Sequence, residues 1–406
     1  MSELVDYSWL TGPEAGQLLT ELASDVAPLH SQLHRLRKLF GMERARLAVE
    51  QVRLRKRAVA KFGQLAERMF FTDLALQQAT DLWIGRYKAS RFPEGLTLID
   101  YCTGIGGDLL ALAGRGPVVG WDNAPEMSLL AEANLRTAQG DKSSEVRTGD
   151  VSSQTPLSED CWHVDPDRRV DSRRSTQLRR HSPGPDVIER WRATAPQGVV
   201  KLAPATEVPE LWQREAELEW VSRDRQCRQQ LAWFGQLAAA PGKHRATIIH
   251  KAINEDAPLT VASFAGDPAL TAHPEPQVCD YIYDTDPAIR AAGLTGALAE
   301  ELEMSAITTG ASYLSTDRPI DHRLVSRFRV LELMPLREKT LANYLRSLGI
   351  GRLEIKKRGI QRDPEKLRRS LKLKGEATAT ILLTRQGDRE IAILAERCQT
   401  EDRPTG

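Results

Sequence analysis

The 406-residue sequence predicts an α/β protein: a mostly parallel sheet preceded by an N-terminal helical segment and followed by a small α+β domain. Three observations predict it. From about Thr11 to Tyr87, Leu, Ala and Val recur at three- and four-residue spacing among Gln, Glu, Arg and Lys, the period of amphipathic helices. From Leu96 the pattern changes to short apolar runs separated by helical segments: TLIDY, GDLLALAGRG, PVVGWD, APEMSLLAEANLRTAQ, SSEVRTGD, CWHVDPD and GVVKLAP. That rhythm is one of βαβ units, with antiparallel edge strands supplied by ELEWVSRD, QQLAWFG and RATIIH. A loose stretch from Asn254 to Pro276, rich in small residues and proline, then leads into a mixed region ending in VSRFRVLELMPL, REKTLANYLRSLG, GRLEIKKRG, DPEKLRRSLKL and ATATILLTR. The expected domains are 1–90 (helical), 91–253 (sheet), 254–330 (linker and connecting α/β segment) and 331–406 (small α+β).

Composition narrows the functional classes. Hydrophobic residues at 41% and charged residues at 27% match soluble globular averages, which excludes a chain disordered throughout. The net charge of +1 conceals two basic clusters, near 168–180 and 352–374. Arginines and lysines in HSQLHRLRKLFGMERARLAVEQVRLRKRAVAKF read as the solvated face of helices, in preference to a nucleic-acid surface. The five cysteines, Cys102, Cys161, Cys227, Cys279 and Cys398, form neither a C-x-x-C pair nor a compact Cys/His array. A reduced, cytoplasmic setting is therefore expected, with no metal site. The N-terminus lacks a basic start followed by an apolar run, and no stretch of about 18 apolar residues occurs, so neither export nor a membrane span is expected.

The most informative stretch is LIDYCTGIGGDLLALA, Leu98 to Ala113, in which a glycine-rich turn joins a strand to a helix. Such a turn brings backbone close to a ligand at a helix N-terminus. It is no phosphate-binding P-loop, because Asp108 and Leu109 stand where Lys and Ser/Thr would be required. An acid there repels a triphosphate and suits a ligand carrying an amine or hydroxyls. Asp122, about twenty residues on at the end of the second strand, can accept from ribose hydroxyls. Asp150 closes the third strand and Asp165, followed by Pro166, the fourth. With Asp100, these acids stand at successive strand ends and point to one crevice.

This combination resembles the class I S-adenosylmethionine-dependent methyltransferases over about Leu96 to His250, which implies a Rossmann-like methyltransferase sheet. By position, the resemblance implies cofactor contacts from Asp100, Gly104, Gly106, Gly107, Asp122 and Asp150. Over most of its length the chain is similar to bacterial methyltransferase-like proteins with a C-terminal THUMP-like domain, through MFFTDLALQQAT (69–80), VDPDRR (164–169), DTDPAIRAAGL (284–294), LEIKKRG and DPEKLRRSLKLKG.

At the substrate end, many amino-methylating enzymes have Asn/Asp/Ser-Pro-Pro-aromatic, whereas this chain has Asp165-Pro166-Asp167-Arg168. Asp165 keeps the acceptor that orients the nucleophile and is the expected catalytic residue. Without the second proline and the aromatic, methylation of an adenine amine by that route is disfavoured, and guanine, a ring nitrogen or a hydroxyl stays open. Cys102 and Cys161 lack the setting of a C5-pyrimidine nucleophile and read as small packing residues. Arg168 and Arg169 begin an arginine-rich loop at this edge, which either clamps phosphate or folds back onto neighbouring acids. Lys356, Lys357 and Arg358 lead the second basic cluster. Two basic surfaces suit a polyanion, and because THUMP domains hold RNA in better-known families, the resemblance points to tRNA or rRNA. The expected activity is methyl transfer to a nitrogen or oxygen of an RNA nucleotide. The alternatives are a non-catalytic RNA-binding or assembly protein that keeps a cofactor pocket, and a small-molecule methyltransferase.

Overall fold

The computed structural model describes residues 4–138, 143–157, 160–170, 173–250, 257–275, 277–310 and 313–398, with the backbone alone for Arg169, Val170, Arg173 and Arg174. It divides into two compact units, Met1–Leu218 with Gln229–Gly242 and Ile249–Thr260, and Glu219–Arg228 with Lys243–Ile248 and Val261–Gly406.

The first unit begins with helices Leu4–Leu10, Pro13–Ser24, Leu29–Phe40 and Met42–Phe62. The longest of these buries Ala45, Ala48, Leu54, Ala58 and Phe62, the stripe that three- and four-residue spacing dictates. Its outward arginines form ion pairs, Arg46 with Glu43 and both Arg53 and Arg57 with Asp73. That is the solvated charged face expected from the sequence, and such exposed pairs add little to stability.

The sheet of this unit starts with β1 (Leu98–Tyr101), β2 (Val118–Asp122), β3 (Glu145–Thr148), β4 (Cys161–Val164) and β5 (Gly198–Leu202). After β6 (Glu217–Arg223) comes β7 (Gln226–Phe234), which runs antiparallel to β5 and pairs Gly198 with Phe234. The order across the unit is β3-β2-β1-β4-β5-β7, with β1 to β5 all parallel. Parallel pairing brings the C-terminal ends of β1 to β5 to one edge, Tyr101 lying beside both Trp121 and Val164. Beneath it, Trp162 and Trp191 meet edge to face and Tyr101 stacks on Trp191 at 4.3 Å. Gly198 is required by this packing, because a Cβ there would lie 2.0 Å from the Trp162 ring.

In the second unit, β8 (Tyr281–Thr285), β9 (Leu314–Thr316), β10 (Val325–Pro335), β11 (Ile350–Lys357), β12 (Ala377–Gln386) and β13 (Arg389–Arg397) form one sheet with the short strand Ser305–Ala306. From that short strand the order is β9-β8-β10-β13-β12-β11, antiparallel except for the β11–β12 pair. Helices Glu338–Ser347 and Pro364–Leu371 bury Leu341, Leu345, Leu367 and Leu371 against Leu353, Ile381 and Leu383. The segment read as linker and connector thus shares its sheet with the C-terminal α+β region, because β10 crosses the expected boundary and pairs with β8 over Val325–Arg329 and with β13 over Phe328–Pro335. Such pairing across a long intervening segment is set by tertiary register, which local periodicity does not encode. Among the described residues, no helix is long and apolar enough to cross a membrane.

Candidate active site

The turn after β1 carries the strongest backbone signature in the first unit. Cys102 (φ 59), Gly104 (φ 56) and Gly106 (φ 88) all lie in the left-handed region, where a β-carbon is penalised. The glycines divide the work. A Cβ on Gly104 would meet nothing within 4 Å, so this position opens outward and lets a ligand approach the backbone. A Cβ on Gly107 would come within 2.9 Å of the Thr80 carbonyl, so Gly107 is needed for packing.

Asp122, at the end of β2, organises that turn. Its Oδ2 accepts from the Gly104 N–H at 2.8 Å and its Oδ1 from the Ala124 N–H at 3.0 Å. Burial pushes its pKa up, only partly countered by these two donors. Each carboxylate oxygen retains a second lone pair for a hydroxyl.

Asp100 and Asp108 lie behind the turn, both buried. Asp100 accepts from Thr103 Oγ1 at 2.6 Å and sits 2.6 Å from His163 Nδ1. Asp108 accepts from Thr80 Oγ1 at 2.7 Å and pairs with the buried Lys88 ammonium at 2.5 Å, while Lys88 Nζ is 3.1 Å from His163 Nε2. Against the upward push of burial, Lys88 first, then His163 and Lys201, hold the Asp108 pKa below the usual carboxylate range. The expectation that Asp108 serves an amine or hydroxyl ligand is corrected: its carboxylate is taken by an ammonium of the chain itself. Asp100 likewise has both oxygens engaged inside the protein.

Around this network packs the segment 69–80, and its position explains the MFFTDLALQQAT motif. The Asn134 side chain accepts from the Phe70 N–H at 2.6 Å and donates to the carbonyls of Phe70 (3.0 Å) and Ile105 (2.8 Å), tying the motif to the turn. Thr72 caps the helix Asp73–Gln78, and Thr80 ends the motif on Asp108. The helix Leu82–Ser90, which carries Lys88, is started by Asp81. Thus the helical lead-in forms the back wall of the turn.

Asp165 follows β4 at the same edge and pairs with Lys201 of β5 at 2.5 Å. Lys201 is held above its usual pKa by Asp165 and then Asp108, in spite of burial. Lys201, Lys88, His163 and Thr80 were not anticipated from the sequence. Only a lysine amid the apolar run GVVKLAP and a histidine in CWHV hinted at buried polar groups. The Cys102 thiol is pushed well above its usual pKa, first by burial and then by Asp122, Asp165, Asp100 and Asp167, so it is no thiolate nucleophile. Burial, aided by Asp160, raises the Cys161 thiol too. Of the carboxylates near Cys102, Asp100 is engaged by Thr103 and His163, Asp165 by Lys201, and Asp122 by backbone N–H groups of the turn.

Asp150 is exposed and accepts from the Ser152 N–H at 2.8 Å, capping the short turn Val151–Ser153. After Pro166 the chain folds back: Asp167 and Ser182 exchange backbone hydrogen bonds of 2.9 and 3.0 Å, and Ser175 N donates to the Arg168 carbonyl at 2.8 Å. Within it Arg169–Val170 pairs with Arg173–Arg174, which is the folded-back arrangement for the backbone. Arg168 is half-buried, and the Arg169 side chain lies outside the described residues. In the second unit, Lys356 and Arg358 both bond Asp284, and the Lys357 carbonyl accepts from Arg358.

Fold and edge together define a Rossmann-like α/β protein of the methyltransferase class. A protein of Porphyromonas gingivalis W83 assigned as a methyltransferase has the same fold, with a TM-score of 0.79 over 98% of both chains at 18% identity. An uncharacterized S-adenosylmethionine-dependent methyltransferase of Mycobacterium tuberculosis (strain ATCC 25618 / H37Rv) is 32% identical over 368 residues, 87% of this chain and 96% of the relative. Its counterpart in strain CDC 1551 / Oshkosh matches equally. Residues 325–397 match the family described as THUMP domain-like. The chain belongs to this family of S-adenosylmethionine-dependent methyltransferases.

Proposed function

We propose that this methyltransferase modifies a nitrogen or oxygen of an RNA nucleotide, in tRNA or rRNA. The observation that carries the reading is the presence of a glycine turn held by Asp122 in one unit and of a THUMP-like region, residues 325–397, beside lysines and arginines in the other. The residues at the edge fit S-adenosylmethionine. Gly104 offers an open left-handed backbone position, and Asp122 has lone pairs for ribose hydroxyls. Bound there, the cofactor supplies an electrophilic methyl group.

The chain's own groups then align and orient. Asp122 fixes the turn through Gly104, Gly106 supplies its bend, and Gly107 seats it against Thr80. Asp150, which caps the turn after the neighbouring strand, would meet the adenine side of the ligand. Asp100 acts from beneath, by holding Thr103 and His163. Lys201 holds the Asp165 carboxylate by its Oδ2, which leaves Oδ1 to accept a hydrogen bond from the N–H or O–H of the incoming nucleophile. Arg168, and Arg169 with it, would meet phosphate beside this edge, and Lys357 would do so on the second unit.

Incubating the protein with methyl-labelled cofactor and total RNA from cells that lack it should transfer label to RNA, with the modified nucleoside identified by mass spectrometry. Cofactor binding without labelled RNA would reject the RNA reading. Label on a small molecule alone would assign the enzyme to that class instead.

A further inference from the structure

The second unit contains a charge cluster that the methyl-transfer chemistry leaves unused. Asp284, on β8 and only 1% exposed, is shared by four cations. Arg358 donates to its Oδ1 at 2.7 and 3.1 Å and Lys356 to its Oδ2 at 3.0 Å, while Arg290 and Arg225 each approach at 3.4 Å. These come from three separate places in the sequence: the hairpin after β6, the helix Pro287–Ala291, and the end of β11 with the residue just after it. Between β8 and β11 lie four inter-strand steps, β8-β10-β13-β12-β11. In a flat sheet that is about 19 Å at about 4.8 Å per step, far beyond a lysine's reach. The sheet therefore curls until its edge strand meets β8, and Asp284 is the clasp.

Closing the sheet needs one or two cations, and the cluster has more. Asp286 is the next carboxylate, but it is engaged by Ser222 Oγ at 2.5 Å and caps its own helix through Ala288 N. Glu354 is bound by Arg397 at 2.9 and 3.0 Å. Lys356 also approaches Glu354 at 4.0 Å, so with Asp286, Glu354 and Arg397 all included, five cations face three carboxylates. Burial first, and then the positive charge of Arg358, lower the Arg290 pKa despite Asp284 and Asp286 beside it. The cationic heads are not sealed in: the Arg225 side chain is 47% exposed and that of Arg358 22%.

Backbone geometry adds an independent observation. Asp224 and Arg225 form the two-residue link between β6 and β7, and both have positive φ, 51 and 58. That is the pattern of a type I′ hairpin turn, whose second central position is normally glycine. Here the position carries a long cation that reaches Ser326 Oγ at 2.6 Å and Asp284 at 3.4 Å. Holding a non-glycine residue there is strained, as at positions kept for function.

We propose that Arg225, Arg290, Lys356 and Arg358, fanned around Asp284, form a site for a phosphate group of the RNA backbone. The proposal rests on the RNA reading above and assigns it a grip. Guanidinium forks offer the paired donors that match phosphate oxygens, and the buried carboxylate fixes the fan in advance of binding.

The test uses the full-length protein and three probes: a structured tRNA transcript, a 5′-phosphorylated RNA oligomer and inorganic phosphate. The variants are R225G, which gives the turn its favoured residue, and K356Q. R225G should retain or raise Tm while weakening tRNA binding at least tenfold, and each variant should reduce the slope of log affinity against log salt by about one phosphate contact. Full tRNA affinity and an unchanged salt slope in both variants would overturn the site while leaving the RNA reading intact. If wild-type protein binds no RNA but inorganic phosphate raises its Tm, and R225G abolishes that rise, the site stands with a small phosphorylated ligand and the RNA reading fails. Binding of none of the three probes by the wild type rejects both. A preference for the 5′-phosphorylated oligomer over its 5′-hydroxyl form would assign the group to a chain end.

Discussion

Each unit is organised around buried carboxylates, and the two differ in which charge is left over. Behind the glycine turn, Asp100 and Asp108 are matched by His163 and Lys88, and Asp122 at the edge in front is held by backbone N–H donors rather than by a cation. Around Asp284 the excess is cationic. The same device, an ionised group buried and fixed by partners, therefore presents opposite surfaces: one suited to a cationic methyl donor, the other to a polyanion. The buried pair sets geometry, and the surplus sets the ligand.

Breaking the two hubs should have the largest effect. K88M leaves Asp108 buried without its cation, and D284N leaves a cluster of cations without its centre; each should cost about 3–5 kcal/mol in urea denaturation. A D284N cost near zero would mean that only the first hub holds its fold. The pH dependence of the first hub has a definite sign. With the Asp108 pKa below its unfolded value, its contribution is present above the ordinary carboxylate range and is lost as pH falls through the folded value. K88M should flatten that acid limb.

Next come the glycines. G107A forces a Cβ against Thr80 and should cost about 1–3 kcal/mol, whereas G104A meets open space and adds only the strain of its left-handed φ, about 1 kcal/mol. Calorimetric cofactor titration should reverse that ranking, with G104A losing more affinity per unit of stability lost. D122N should weaken cofactor binding about tenfold or more by removing a charged acceptor. Because burial raises the Asp122 pKa, wild-type affinity should start to fall, on acidification, at a higher pH than an ordinary aspartate would dictate. Asp122 has the opposite effect on stability, adding to it as pH falls, because the folded state holds that proton more tightly. The smallest effect belongs to C102A, which should keep methyl transfer within a few-fold, since the thiol is protonated and no nucleophile.

Much of the first unit was legible in the chain. LIDYCTGIGGD announces its strand, turn and helix by local chemistry, and Asp122, Asp150 and Asp165 stand at successive ends of parallel strands because short apolar runs alternate with helices. What the letters could not separate was Asp122 from Asp108. Both are acids beside the same turn, yet one faces the edge and the other meets Lys88, a residue twenty positions earlier on a helix that reads as ordinary lead-in.

The sequence by itself determined the elements, their alternation and the acidic strand ends, since helix period, strand run and glycine turn are properties of neighbouring residues. Tertiary structure decided which charges are consumed and which remain. Lys88, His163 and Lys201 reach the turn from separate elements, and β11 reaches β8 only because a seven-stranded sheet curls. Burial makes an unpaired charge costly, and which charges end up buried together is fixed by packing between segments distant in the chain.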